Sequence, residues 1–367
     1  MSKIESDSAN HPRFNPNLIG HNDAEQKFLS IWQSNRLPHG WLITGPRGIG
    51  KATLAFRIAR FVLSNGGDQA AALGLFGEPV VPSLELDEEN PVFRRIASGG
   101  HADLLTLERT VNQDTNKLRT TIAVEDVREA GDFLRLTASE GGWRVVIIDS
   151  VDELNVNAAN ALLKILEEPP DRALLLLICH APGRLLPTIR SRCCQMPLTP
   201  LQDEEVISIL QDSNPDLLPN DLQPLCQLSD GSPGRAMALV EEGGLELYRE
   251  MVSLLATLPN TETSALHSFG DRLARRGAED NFRIVTELLA WWVSRLVRIG
   301  ARGIDVPNII PEEEGCAARL LSATGVDHWL EVWEKINSLA SQTDGLNLDK
   351  KQALLNMFHA LKGAATN

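Results

Sequence analysis

Residues Gly45–Ala52, GPRGIGKA, set glycines at 45, 48 and 50 ahead of Lys51. That spacing is nearly the phosphate-binding pattern G-x-x-x-x-G-K-[ST]. Its glycines let backbone amides turn toward phosphate, and its lysine reaches the terminal phosphates. The pattern departs at its last letter, where Ala52 replaces the hydroxyl that would ligate magnesium. Thr53 follows one residue late, about 100° further round a helix, and is not expected to stand in. A second position bears on the same chemistry. The run RVVIID (Arg144 to Asp149) ends in Asp149, the acid that phosphate-loop ATPases offer to magnesium. Ser150 comes next, where many such enzymes carry a glutamate that orients water. Asp152 and Glu153 lie too far along to replace it and read as N-terminal charge on the next helix. With both positions lacking the expected group, efficient hydrolysis at this loop is not expected. Binding of ATP or ADP without turnover stays open.

These residues need a sheet edge to hold them. WLIT (Trp41 to Thr44) is a short apolar strand running into the loop, and Leu54, Ala55, Ile58, Ala59 and Val62 recur behind it at helical spacing. Strand, glycine loop and helix are the setting a phosphate loop requires. Further along, 103–109 and 144–149 read as strands and 124–136 as an amphipathic helix. A strong helix is expected over 155–168, stopped by Pro169 and Pro170, followed by the apolar strand ALLLLIC at 173–179. Alternating apolar strands and helices imply a parallel sheet covered on both faces. Residues 1–15 are expected to be a disordered lead-in and 64–101 a long loop or insertion. After Pro200 only helical patterns follow, at 203–211, 233–240, 245–258, 262–275, 281–299, 327–341 and 349–362.

Composition narrows the function classes. The chain of 367 residues carries 35 Lys+Arg against 49 Asp+Glu, a net charge of −14. So acidic a chain is a poor stand-alone nucleic-acid binder, because phosphate neutralisation drives that binding. The five cysteines, Cys179, Cys193, Cys194, Cys226 and Cys316, show no metal-ligand spacing and no even framework, which fits a reducing cytoplasm. The N-terminus MSKIESDSAN lacks an apolar signal core, and no apolar run reaches the roughly 18 residues of a membrane helix. A cytoplasmic protein without membrane association is expected. In AWWVSRLVR (Ala290 to Arg298), Trp291, Trp292, Arg295 and Arg298 suggest base stacking at first sight. Adjacent tryptophans cannot share one helix face, and Leu288, Leu289, Val293, Leu296 and Val297 pattern as core, so packing is the better reading.

Three stretches together carry a resemblance: LPHGWLITGPRGIGKATLA (Leu37 to Ala55), NAANALLKILEEPP (Asn157 to Pro170) and TIRSRC (Thr188 to Cys193). They resemble the AAA+ clamp-loader proteins of bacterial DNA polymerase III, most of all the delta-prime type of subunit. The resemblance covers about 17–245 and implies an α/β fold. An AAA+ RecA-like parallel-sheet domain would span 16–199, a small helical lid 200–243 and an all-α C-terminal collar 244–367. In that family the Ser-Arg-Cys motif faces the neighbouring subunit's ATP. Here it is Ser191, Arg192 and Cys193, which makes Arg192 an arginine finger acting in trans. Gly45, Gly48, Gly50 and Lys51 would form a nucleotide loop kept for shape, and Arg235 in GSPGRAMAL would be a second sensor; read alone, it is an ordinary helix N-terminal arginine. LIGH (Leu18 to His21) resembles the adenine-wrapping segment, though His21 also reads as a capping or packing residue. Cys179 and His180 stand where a first-sensor Asn or Thr is usual, a departure that argues against hydrolysis.

Members of the family often carry a four-cysteine zinc module between the loop and the acidic strand. Residues 53–148 contain no cysteine, so no zinc is expected, and the lone His101 reads as a loop residue. The resemblance implies gamma/tau-type ATPase subunits and a delta subunit as partners, with the sliding clamp and primer–template DNA reached through the complex. Polymerase activity would belong to that holoenzyme, since no nucleotidyl-transfer motif occurs here. No cofactor beyond a non-hydrolysed ATP or ADP is expected. The alternatives are an autonomous gamma-type ATPase and a DNA-binding adaptor.

Overall fold

The computed structural model describes residues 11–65, 83–112, 117–119, 121–139, 142–275, 277–303, 307–346 and 348–366. The chain divides into two compact units, Met1–Glu205 and Val206–Asn367. In the first, β1 (Gly40–Thr44), β2 (Leu104–Glu108), β5 (Arg144–Asp149), β6 (Ala173–Cys179) and β7 (Cys194–Pro197) form a parallel sheet in the order β2-β5-β6-β1-β7. A separate two-stranded ribbon pairs β3 (Val111–Asn112) with β4 (Lys117–Leu118).

The unbroken apolar runs of β5 and β6 are buried along almost their whole length, as strands covered on both faces must be. Alternation sends their side chains to opposite sides. Leu42, Val146, Ile148, Leu175 and Leu177 cluster with Val127 and Leu134 of the helix Val124–Arg135 and with Leu162 and Leu166 of the helix Val156–Glu167. Trp41, on the opposite face, has its ring 5.1 Å from Phe28 of the helix Asn22–Gln33; Phe28 lies 6.3 Å from Phe61 of the loop helix Lys51–Ser64.

Because the strands are parallel, their carboxyl ends share one edge, where open α/β sheets hold ligands. The register sets Glu108 beside Asp149, Asp149 beside Ile178, and Cys179 beside Thr44. Thr44 leads directly into the glycine loop.

Several local expectations change. Residues 64–101 contain a helix, Pro91–Ala97, started by the Asn90 side chain accepting from the Val92 amide at 2.8 Å and by Pro91 in the first turn. Its Val92, Phe93 and Ile96 are buried. Residues 66–82 of that stretch lie outside the described residues, as do 1–10 of the expected lead-in. Residues 11–15 are anchored rather than loose: the buried guanidinium of Arg60 donates to the carbonyls of Asn15, at 2.8 Å, and Arg13. A buried cation must find acceptors, and this backbone supplies them.

Among its described residues the second unit contains helices and no strand. Helices Pro219–Ser229 and Cys316–Ala323 join those expected from periodicity; Pro224 inside the first disguises its pattern. The expected lid helices share this unit with the expected collar helices, and Pro219–Ser229 and Pro233–Glu241 pack on Gly244–Ala256. Trp292, Val293 and Leu296 are core, while Trp291 Nε1 donates to Asp230 Oδ2 at 2.9 Å. Arg295 is buried against the equally buried Glu313 at 2.8 Å, and Tyr248 donates its hydroxyl to the same carboxylate. These contacts account for the tryptophan–arginine stretch by packing.

Candidate functional site

The loop Gly45–Gly50 closes on itself. Gly45 and Gly50 have φ of +149° and +100°, the region that favours glycine. A side chain at Gly45 would meet the Leu198 carbonyl oxygen at 2.6 Å; one at Gly50 would press Leu18 at 3.1 Å. Gly48 also has positive φ, +75°. Lys51, only 2% exposed, turns its ammonium onto the loop's own carbonyls: Gly45 O at 2.6 Å and, by a second bond, Pro46 O. Burial pulls its pKa down to about 8 against the opposing pull of Asp149 and Asp152.

Around the loop stand more charged groups than the motif suggested. Asp149 is pushed up to about 6 by burial first and then by Glu108, its neighbour across the strand register. His180 Nε2 sits 3.7 Å from Asp149 Oδ1. Burial, then Lys51 and Arg47, push His180 down to about 4, so it is neutral near pH 7. Asp152 and Glu153 do not serve as charge on a following helix; they lie in a 3₁₀ turn, Val151–Glu153. Asp152 accepts the backbone amides of His180 and Ala181 at 2.9 and 3.0 Å and fixes the end of β6. Burial would raise its pKa, but these amides outweigh burial and hold it below the usual carboxylate range. Glu153 pairs with Arg109, at 2.7 Å, and with Arg47 at the loop tip. No sequence motif marks the Arg47–Glu153–Arg109 bridge; the parallel register alone brings β2 and β5 together.

The segment ahead of the first helix lies against this loop. His21, buried, hydrogen-bonds the Ile49 carbonyl through Nε2 at 2.6 Å and makes no side-chain cap on the helix Asn22–Gln33. As between capping and packing, the contacts of His21 are those of packing against the loop.

The donor set does not match a magnesium–nucleotide site. Ala52 brings no oxygen and Thr53 is buried behind it, which leaves Asp149, its pKa raised to about 6 by burial, as the nearby acid. Among the described residues no group of three or more His, Cys, Asp and Glu could hold a metal ion.

The second candidate feature has opposite character. Arg192 follows a single-turn helix, Pro187–Arg190, and precedes β7. Its guanidinium is exposed, with Nη2 2.8 Å from Glu167 Oε1 and Nη1 donating to the Thr188 carbonyl at 3.1 Å. Cys193 beneath it is buried. β7, which the sequence patterns did not suggest, fixes this chain direction by pairing with β1, Trp41 opposite Cys194. Arg235 lies in the second unit, near the start of the helix Pro233–Glu241, its amide capped by Ser232 Oγ at 3.2 Å. Burial lowers its pKa, opposed by Glu287 and Asp230.

A family model described as DNA polymerase III, delta subunit, matches residues 20–202. Over that stretch the chain belongs to this family. DNA polymerase III subunit delta' of Pseudomonas aeruginosa is 36% identical over 227 residues, 62% of this chain and 63% of that one. DNA polymerase III subunit tau of Escherichia coli is 29% identical over 240 residues, 63% of this chain and 34% of that one. The chain thus spans less than two thirds of the length of these relatives. A solved gamma subunit-related protein from Thermotoga maritima aligns with 93% of this chain and 99% of its own at 18% identity and a TM-score of 0.41. The delta' and tau relatives are both subunits of DNA polymerase III. No described helix is long and apolar enough to cross a membrane.

Proposed function

We propose that this chain is a delta-prime-like clamp-loader subunit that turns over no ATP of its own and lends Arg192 to the nucleotide of a neighbouring gamma/tau-type ATPase subunit. The observation that carries the reading is a contrast between two cations. Lys51 is buried and bonded to its own loop, whereas Arg192 is exposed and held only by surface contacts. A planar, permanently charged fork suits the spread charge of a transferring phosphoryl group, and such fingers are worth about 10³–10⁵ in rate.

The chain would work in the cytoplasm beside a delta subunit in the assembly that opens the sliding clamp and sets it on primer–template DNA. The loop of Gly45, Gly48, Gly50 and Lys51 would keep shape, with any ATP or ADP held there unhydrolysed and Arg235 as its sensor. The likeness to tau favours a second reading, a working gamma-type ATPase. That reading needs a magnesium site that Ala52 and Ser150 do not supply. Co-purification with gamma/tau-type and delta subunits, followed by ATP hydrolysis with and without this chain, tests the proposal. The expected result is stable association and faster turnover when the chain is present. No association, or turnover indifferent to it, contradicts the reading.

A further inference from the structure

The finger has a keeper. Glu167 closes the helix Val156–Glu167, and its carboxylate takes one arm of the Arg192 guanidinium at 2.8 Å while the Thr188 carbonyl takes the other at 3.1 Å. The side chain is therefore held at two points. The helix end that carries Glu167 is itself held: His39 Nε2 hydrogen-bonds the Leu166 carbonyl at 3.0 Å. The partial negative charge of a helix C-terminus adds to the attraction. Both charged side chains are well exposed, 37% for Arg192 and 50% for Glu167, so the pair is weak and readily exchanged.

Resting on the trans-acting reading of Arg192, we propose that Glu167 is a positioning residue. It holds the guanidinium in the free subunit and yields it to the terminal phosphate of the neighbour's nucleotide. Carboxylate and phosphate compete for one cation. By competing with that phosphate for the guanidinium, Glu167 both keeps the finger in place and sets a threshold for its use. No covalent step is involved.

The test uses the full reconstituted complex with Glu167→Gln, which keeps an acceptor oxygen but removes the charge. The half-saturating ATP concentration should fall roughly two- to fivefold at low ionic strength, the range an exposed ion pair supplies, with kcat within about twofold of the parent. The gain should shrink at high salt and vanish in the Arg192→Ala background. A lowered kcat or an unchanged ATP dependence for Glu167→Gln, with Arg192→Ala still lowering turnover, overturns the exchange and leaves the trans-acting reading in place. A gain that persists without Arg192 overturns it too, because Glu167 would then act on phosphate directly. If Arg192→Ala leaves turnover unchanged, the trans-acting reading itself falls, and the exchange with it.

Discussion

Lys51 Nζ lies 2.6 Å from the carbonyl oxygen of Gly45, the first residue of its own loop. The lysine of the phosphate-loop pattern instead donates to backbone carbonyls. With Ala52 beside it, the isolated protein should hydrolyse ATP no faster than a buffer blank. A phosphate-release assay decides this. Turnover of roughly 1 s⁻¹ or more, lost in Lys51→Ala, would restore the reading as a working gamma-type ATPase.

The acid at the end of β5 should reveal itself in the pH dependence of stability. His180 is pushed from 6.5 to about 4, so the unfolded chain binds more protons in that window; this contribution is present above pH 6.5 and lost as pH falls toward 4. Asp149 is raised from 3.8 to about 6, so the folded chain binds more protons between those values, and its contribution grows as pH falls. The two oppose each other. Asp149→Asn removes the second: the variant should be more stable near neutral pH, by on the order of 1 kcal/mol, and should lose stability more steeply on acidification. Urea midpoints at neutral pH and near pH 5 measure both effects. Equal slopes for parent and variant would show that Asp149 is not desolvated.

Residues 11–17 should prove structural. Arg57 is bonded to Glu25 at 2.7 Å and to the Pro16 carbonyl, and Arg60 spends its donors on Asn15 and Arg13 while stacking 4.2 Å above the Phe93 ring. Deleting residues 1–17 strands buried cations and should cost about 2–4 kcal/mol, read from a thermal or urea transition. Arg60→Met in the shortened chain should recover part of the loss. A shortened chain as stable as the parent would return this segment to the status of a loose lead-in.

Strong periodic signals were legible in the sequence: the glycine loop, the buried strands at 144–149 and 173–179, and the long helices of the second half all stand where patterning put them. What escaped depends on non-local pairing or short length. β7 has four residues and exists because β1 offers an edge. The Pro91–Ala97 helix is seven residues long, though Asn90–Pro91 is a readable start signal. The partners of Glu153 come from the loop at Arg47 and from Arg109, just past the end of β2, far apart in sequence, and only strand register brings them together. The Arg192–Glu167 pair is of the same kind, linking the LEEPP and Ser-Arg-Cys stretches that sequence alone treats as separate signatures.

The function proposed for this chain requires Arg192 to act outside its own subunit. The most direct measurement is ATP hydrolysis by the reconstituted complex carrying Arg192→Ala, with assembly checked by gel filtration. Turnover should drop at least severalfold while the complex stays intact, and Arg192→Lys should restore little of it, because an ammonium cannot reproduce the planar fork. An intact Arg192→Ala complex that hydrolyses ATP at the parent rate would contradict a trans-acting role for Arg192.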